Sequence, residues 1–170
     1  MIYLNIGSNL NSQFGDRFNN INKAASLLLS EKILIKKISN FYETPSYPNK
    51  SLPKYLNICL EIECNLDPIS LLKTISFIEN KIGRTKAIKN ASRVCDIDII
   101  DFKRKIINTD RLILPHPRSH LRNFVLYPLF EINPDWSHPL LNKKISVLIE
   151  ELITNQRIEI TRLNKSAILE

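Results

Sequence analysis

The run Val94-Cys95-Asp96-Ile97-Asp98-Ile99-Ile100-Asp101-Phe102 is apolar enough to read as a buried β-strand, yet it carries carboxylates at alternate positions. Side chains of a strand alternate between faces, so Asp96 and Asp98 project the same way, ~7 Å apart. A sheet built on this strand needs one covered apolar face and one face that tolerates two anions. Like charges so close repel each other and lose hydration unless a cation meets them. A pair of hard oxygen ligands suits Mg²⁺, which takes few protein carboxylates and fills its shell with water and phosphate oxygens. The pair points toward nucleotide phosphate chemistry. An edge strand with two solvated aspartates accounts for the tripeptide equally well, so its surroundings must decide.

Ile2, Leu4 and Ile6 alternate with Tyr3, Asn5 and Gly7, which predicts a first strand ending at Gly7-Ser8-Asn9. Phe18, Ile21, Ala25 and Leu28 recur at helical spacing and predict a helix over 16–30. A second strand is expected over 33–43, closed by Thr44-Pro45, and the polar stretch with Pro48 and Pro53 is a loop. In the third strand, 55–64, Leu56, Ile58, Leu60 and Ile62 face one way and Tyr55, Asn57, Cys59 and Glu61 the other. Asp67 as N-cap, Pro68 and Gly83 bracket a second helix whose stripe is Ile69, Leu72, Ile75, Phe77, Ile78 and Ile82. The segment 84–93 has no periodicity and four cationic residues, and reads as a mobile loop before the aspartate strand.

The order βαββαβ predicts an α+β, ferredoxin-like fold: one four-stranded antiparallel sheet with both helices on one face. Asn5, Tyr55, Asn57, Asp96 and Asp98 would then line the other face together. A small hairpin over 103–114, short helices over 119–131 and 142–154, and a late strand at 158–160 complete the expectation. At 170 residues, with no repeat or linker, the chain reads as a single domain over 1–170.

Several chemistries are disfavoured. No apolar run reaches the roughly 18 residues of a membrane span, and no charged-then-apolar leader opens the chain. Cys59, Cys64 and Cys95 lack metal-ligand spacing and read as reduced thiols, and His116, His120 and His138 do not form a zinc set. The net charge of +7 comes from dispersed Lys and Arg, in a chain that uses Lys, Asn and Ile heavily throughout. Gly7, Gly15 and Gly83 are too scattered for a phosphate-binding glycine loop. A nucleotide would have to be held by Arg84, Lys86 and Arg93 before the strand and by Arg111, His116, Arg118 and Arg122 after it. Two prolines stiffen the backbone around His116. Tyr55, Asn57 and Phe124 offer a flat heteroaromatic site, with an amide for the ring edge and rings for its faces. No Ser or Cys has the partners of a nucleophilic triad.

Seven segments, taken in order, resemble the 6-hydroxymethyl-7,8-dihydropterin pyrophosphokinase family of folate biosynthesis. They are Tyr3-Leu-Asn-Ile-Gly-Ser-Asn-Leu10, Phe41-Tyr-Glu-Thr-Pro45, Tyr55-Leu-Asn57, Ile78-Glu-Asn-Lys-Ile-Gly-Arg84, Arg93-Val-Cys-Asp-Ile-Asp-Ile99, Ile107-Asn-Thr-Asp-Arg-Leu-Ile-Leu-Pro-His-Pro-Arg118 and Phe124-Val-Leu-Tyr-Pro-Leu-Phe-Glu-Ile132. The resemblance implies transfer of a pyrophosphoryl group from ATP to the pterin hydroxymethyl oxygen, with release of AMP. It implies two Mg²⁺ ions on Asp96 and Asp98, with Arg84 and Arg93 closing over the phosphates to complete the catalytic set. ATP would meet Glu79, Arg84, Arg93, Ile99, Arg111, His116, Pro117 and Arg122. The pterin would meet Gly7, Ser8, Thr44, Pro45, Tyr55, Asn57, Asp96 and Phe124. The corresponding expectation is a cytoplasmic monomer that handles small molecules, not nucleic acid or membrane.

The chain departs from the family pattern in four places, two of them Pro117, where some members have an aromatic residue, and Ile113, where some have a hydroxyl. Asn90-Ala91-Ser92 stands where the family has Trp-Gly-Pro before the loop arginine, and Ser46-Tyr47 follows Thr44-Pro45. Two other readings stay open. A ferredoxin-like nucleic-acid module would fit topology and basicity, although Asp96 and Asp98 would repel a phosphate backbone. A degenerate, inactive relative kept for binding would fit the missing loop tryptophan.

Overall fold

Two helices are fixed at their ends by the side chains that precede them. The Asp16 carboxylate accepts the Phe18 and Asn19 N–H groups at the start of α1 (Arg17–Ser30). Asp67 accepts those of Ile69 and Ser70 at the start of α2 (Pro68–Ile82), and Gly83 ends that helix in the left-handed region at φ 113°. The computed structural model describes residues 1–47, 49–84 and 92–168. Its strands are β1 (Ile2–Ser8), β2 (Leu34–Ile38), β3 (Asn40–Thr44), β4 (Tyr55–Glu63), β5 (Asp96–Phe102), β6 (Ile107–Asn108), β7 (Ile113–Leu114) and β8 (Thr161–Ser166). A 3₁₀ turn (Ser119–Leu121), α3 (Asn123–Ile132), α4 (Ile145–Glu150) and α5 (Thr154–Ile158) lie between β7 and β8.

The main sheet runs β5-β1-β4-β3-β8, with β2 also paired to β4, and every pairing is antiparallel. With α1 and α2 on one face, this is the ferredoxin-like arrangement expected from the element order. That face is closed by Ile2, Leu4 and Ile6 of β1, the even-numbered apolar residues of β4, and Ile97, Ile99 and Phe102 of β5. Ile21, Ala24 and Leu28 of α1 and Leu71, Ile75, Ile78 and Ile82 of α2 pack onto them. Each such leucine, isoleucine or phenylalanine side chain, when fully buried, contributes roughly 1.5–3 kcal/mol.

The opposite face is only half covered. Tyr3, Cys59 and Ile100 pack against Val125, Leu126 and Leu129 of α3 and Leu148 of α4, with Trp136 beside them. A register shift between β1 and β5 next to Ile100 bends the strand there, and Asp101 accepts the Trp136 indole N–H at 2.9 Å. Farther along the same face lie Asn5, Gly7, Asn57, Asp96 and Asp98, which line a cavity instead of joining that cluster.

Three expectations need correction. The long second strand is two strands, because Ser39 breaks the ladder: its hydroxyl oxygen accepts the Cys59 N–H and its own N–H meets the Cys59 carbonyl. The late strand lies at Thr161–Ser166 rather than 158–160, and Ile158 ends α5 instead. In α2, Phe77 is exposed and Leu71 takes the buried position, since the helix face toward the sheet is centred on Leu71, Ile75, Ile78 and Ile82. The loop segment 85–91, with Lys86, Asn90 and Ala91, lies outside the described residues. Cys59, Cys64 and Cys95 are buried and free. Among the described residues no helix is long and apolar enough to cross a membrane.

Candidate active site

The uncovered half of the sheet is the floor of a cavity of about 520 Å³. β1 supplies Asn5 and Gly7, β4 supplies Tyr55 and Asn57, and β5 supplies Asp96 and Asp98, all on the face pointing away from α1 and α2. Thr44 and Pro45 at the end of β3 form one side. His116, Arg122 and Phe124, on the connection into α3, form the other, and Arg93 closes an end. A recess of about 430 Å³ adjoins it past β5, where Glu79 and Arg84 meet Arg93, Asp96 and Asp98.

Two acids are met by four cationic or protonatable groups. Arg93 bonds Asp96, and Arg84 reaches the same carboxylate at 3.2 Å. Arg122 lies 3.5 Å and His116 3.7 Å from Asp98. Burial, then the charge of Asp96, hold Asp98 above the usual carboxylate range, against the pull of Arg122, Arg93 and Arg84. Glu79, on α2, pairs with Arg84 and accepts the Ile97 N–H at 2.8 Å, capping the free edge of β5. Burial pushes Glu79 up to about 7. Burial, then Arg122 and Arg118, push His116 down to about 4. Its Nδ1 accepts the Arg118 N–H at 3.1 Å, so the neutral ring carries its proton on Nε2 and presents a donor to the cavity.

The aromatic half is built by a helix defect. Pro128 sits inside α3 and has no N–H, which leaves the Phe124 carbonyl without its intrahelical donor. The Asn5 amide takes that place: with its nitrogen toward the two carbonyls, the orientation these acceptors require, it donates to Phe124 at 3.0 Å and to Ile58 at 3.2 Å. The sheet floor thus fixes the start of α3, and the Phe124 ring sits under the Arg122 guanidinium at 5.3 Å. Asn57 lies buried beside Gly7 and its amide reaches Thr44 Oγ1 at 3.5 Å. A Cβ on Gly7 would stand 2.9 Å from Asn57 Oδ1, so this close approach requires glycine.

Asn9 ties the rim together. Its amide nitrogen donates to Ser46 Oγ, the Pro53 carbonyl and Ser92 Oγ, and its oxygen accepts the Arg93 N–H. Ser8 donates to the Val94 carbonyl at 2.7 Å and is fully buried. Ser8, Ile99, Arg111 and Pro117 line neither recess: Ile99 belongs to the helix-side core, and Arg111 and Pro117 are exposed. The remaining candidate residues lie around the two recesses. Tyr47, Asn123, Ile153 and Glu159 also line the cavity without having been assigned to it from the sequence, and Arg118, a phosphate candidate from its place after β5, lines it too. Ile153 and Glu159 come from the C-terminal segment, where no local pattern points to a sheet edge so far upstream.

The donor set fits a divalent magnesium ion. Asp96 and Asp98 share one face, stay partly open to solvent and repel each other, and among the described residues no third carboxylate, histidine or thiol completes a cluster. Such a pair leaves most of the coordination shell to water and phosphate.

A family model described as 7,8-dihydro-6-hydroxymethylpterin-pyrophosphokinase (HPPK) matches residues 3–134. The chain is 39% identical over 131 residues to the 2-amino-4-hydroxy-6-hydroxymethyldihydropteridine pyrophosphokinase of Bacillus subtilis, covering 76% of each protein. It is 38% identical over 144 residues to the Aquifex aeolicus protein of that name, covering 85% of this chain and 87% of the relative. The Folic acid synthesis protein fol1 of Pneumocystis carinii is 36% identical over 152 residues, where the chain spans only 20% of the longer protein. Among solved structures, wild-type Plasmodium falciparum HPPK-DHPS with pteroate superposes with a TM-score of 0.71. That match covers 95% of this chain and 47% of the other at 15% identity, a likeness of fold.

Proposed function

The chain belongs to the 7,8-dihydro-6-hydroxymethylpterin-pyrophosphokinase family, and from that premise we propose that its cavity transfers the pyrophosphoryl group of ATP to the hydroxymethyl oxygen of 6-hydroxymethyl-7,8-dihydropterin, releasing AMP, in folate biosynthesis. The observation that carries the reading is the juxtaposition of two halves in one cavity. Asp96 and Asp98 lie among Arg93, Arg122 and His116, and beside them Asn57, Tyr55 and Phe124 form a slot for a flat ring.

Asp96 and Asp98 would hold two Mg²⁺ ions. When bound, Mg²⁺ would offset the triphosphate charge and polarise the hydroxyl that attacks the β-phosphorus. The arginines now paired with those acids would exchange them for phosphate oxygens. Arg84 and Arg93 would turn toward the triphosphate while Asp96 turns to the cation, so every charge keeps a partner. Arg122 and the Nε2–H of neutral His116 would donate to the phosphates from the opposite side, and Glu79 would hold Arg84 in place. Asn57 would read the pterin edge with both its donor and its acceptor, beside Thr44 and Pro45, while Tyr55 and Phe124 cover the ring faces. Alignment of hydroxyl, phosphorus and leaving oxygen is the main contribution asked of the protein, worth up to roughly 7–11 kcal/mol.

The same reading takes residues 1–170 as one domain that works as a cytoplasmic monomer on small molecules, with neither nucleic acid nor membrane as partner. The deciding experiment incubates purified protein with ATP, Mg²⁺ and the hydroxymethyl dihydropterin, with and without chelator. AMP and a diphosphorylated pterin, both lost with chelator, are the expected products. ADP with a monophosphorylated pterin, or no turnover, would overturn the reading.

A further inference from the structure

The C-terminal segment reaches the cavity from outside the stretch that the family model matches. β8 pairs with β3 so that Glu43 opposes Thr161, and this register brings the chain just before β8 beside the exit of β3. Glu159 is thereby delivered to the loop that follows Thr44 and Pro45. Its Oε2 accepts the Tyr47 hydroxyl at 2.7 Å, and its Oε1 pairs with Lys50. The Lys50 ammonium lies 5.4 Å over the Tyr47 ring, which closes a three-membered cluster. Tyr47 is 55% exposed and has no core to pack in, yet both it and Glu159 line the cavity. A large aromatic on the surface, held at its hydroxyl from one segment and covered on its ring by a cation, is placed and not merely tolerated.

We propose that Glu159 is a positioning residue: it moors Tyr47, and with it the chain leaving β3 at Thr44 and Pro45, over the pterin end of the cavity. The inference rests on the functional reading above and adds a contribution from the C-terminal segment to substrate binding. An exposed ion pair of this kind adds little to global stability. Its effect falls on the loop and on the substrate the loop covers. Lys50 and Tyr47 hold the Glu159 carboxyl below its ordinary range, so the mooring is charged at neutral pH.

The test measures KM for the pterin and for ATP in wild type, Glu159→Ala, Tyr47→Phe and the double variant, with pterin affinity measured separately by fluorescence titration. Either single change should raise the pterin KM about three- to tenfold, leave the ATP KM within about twofold, and leave the urea midpoint in place. The double variant should be no worse than the weaker single variant, because both changes cut the same link. An unchanged pterin KM in Glu159→Ala overturns the inference alone. So do equal rises for both substrates, or additive losses in the double variant. Wild-type protein that neither forms AMP nor binds the pterin overturns the functional reading and the mooring with it.

Discussion

Gly7→Ala isolates the placement of one amide. The φ of Gly7 lies outside the left-handed region, so alanine can adopt this backbone, and the perturbation is confined to the new methyl group. That methyl would stand 2.9 Å from Asn57 Oδ1, about 0.5 Å inside ordinary van der Waals contact. Asn57 is 2% exposed, with Thr44 beside its amide, so it has little room to rotate away. Overpacking of this size costs about 1–3 kcal/mol, and the lower chain entropy of alanine when unfolded returns about 0.4–1 kcal/mol. The fold should therefore survive with a loss of roughly 1–2 kcal/mol. Function should suffer more. If Asn57 reads the pterin edge, displacing it leaves at least one buried polar group unpaired in the complex, at about 1–3 kcal/mol, or about five- to 150-fold in affinity. The measurement is pterin titration in the presence of a non-hydrolysable ATP analogue and Mg²⁺, beside urea unfolding and ATP-analogue affinity. Pterin affinity within twofold of wild type would refute the role of Asn57. An equal loss for the nucleotide would refute its restriction to the pterin side.

Asp98→Ala should cut AMP formation by about 10³ or more while leaving the thermal midpoint within a few degrees, and turnover retained at a tenth of wild type would remove the metal assignment. Arg93→Ala should lower kcat by about 10² with a smaller change in either KM, because the proposed phosphate contact would strengthen in the transition state, whereas an effect on KM alone would argue against that role. Phe124→Ala should weaken pterin binding about tenfold or more and spare ATP, and equal losses would assign the ring to packing. Acid sensitivity should trace in part to His138, with His116 as the other contributor; His138 is buried, accepts the Leu140 and Leu141 N–H groups on Nδ1, and faces the His120 ring and Trp136, whose indole bonds Asp101. Burial, then His120, lower its pKa from 6.5 to about 4. The unfolded chain thus takes a proton that the native ring refuses, and stability falls as pH drops from about 6.5 toward 4, by up to about 3 kcal/mol. Urea midpoints of His138→Asn should fall less than wild type over that range, and parallel curves would exclude the assignment.

The residues that proved easy to interpret were those whose signal is local. Asp67, Pro68 and Gly83 mark a helix because capping is settled within a few residues, and alternation in β1 and β4 marks their two faces directly. The aspartate pair was legible for the same reason, since two positions on one strand fix a shared direction. What escaped depended on distant partners. Ser39 looks like any strand residue until Cys59 lies opposite, so the break between β2 and β3 left no trace. β8, Thr-Arg-Leu-Asn-Lys-Ser, has no apolar alternation because it is an exposed strand added to β3, and its pairing energy comes from backbone bonds. Leu71 and Phe77 exchange their expected places because the stripe of α2 can be drawn through either residue until the sheet beneath it is known. The placement of Glu159 beside Tyr47 follows only from the register of β8.

Asn9 gives the molecule a property that neither half of the cavity has alone. One side chain spans the segment before β4 and the segment carrying Ser92 and Arg93, so ordering either segment stiffens the other. By thermodynamic linkage, whatever factor a ligand ordering one segment would lend to affinity at the other, a ligand at the other would return in equal measure.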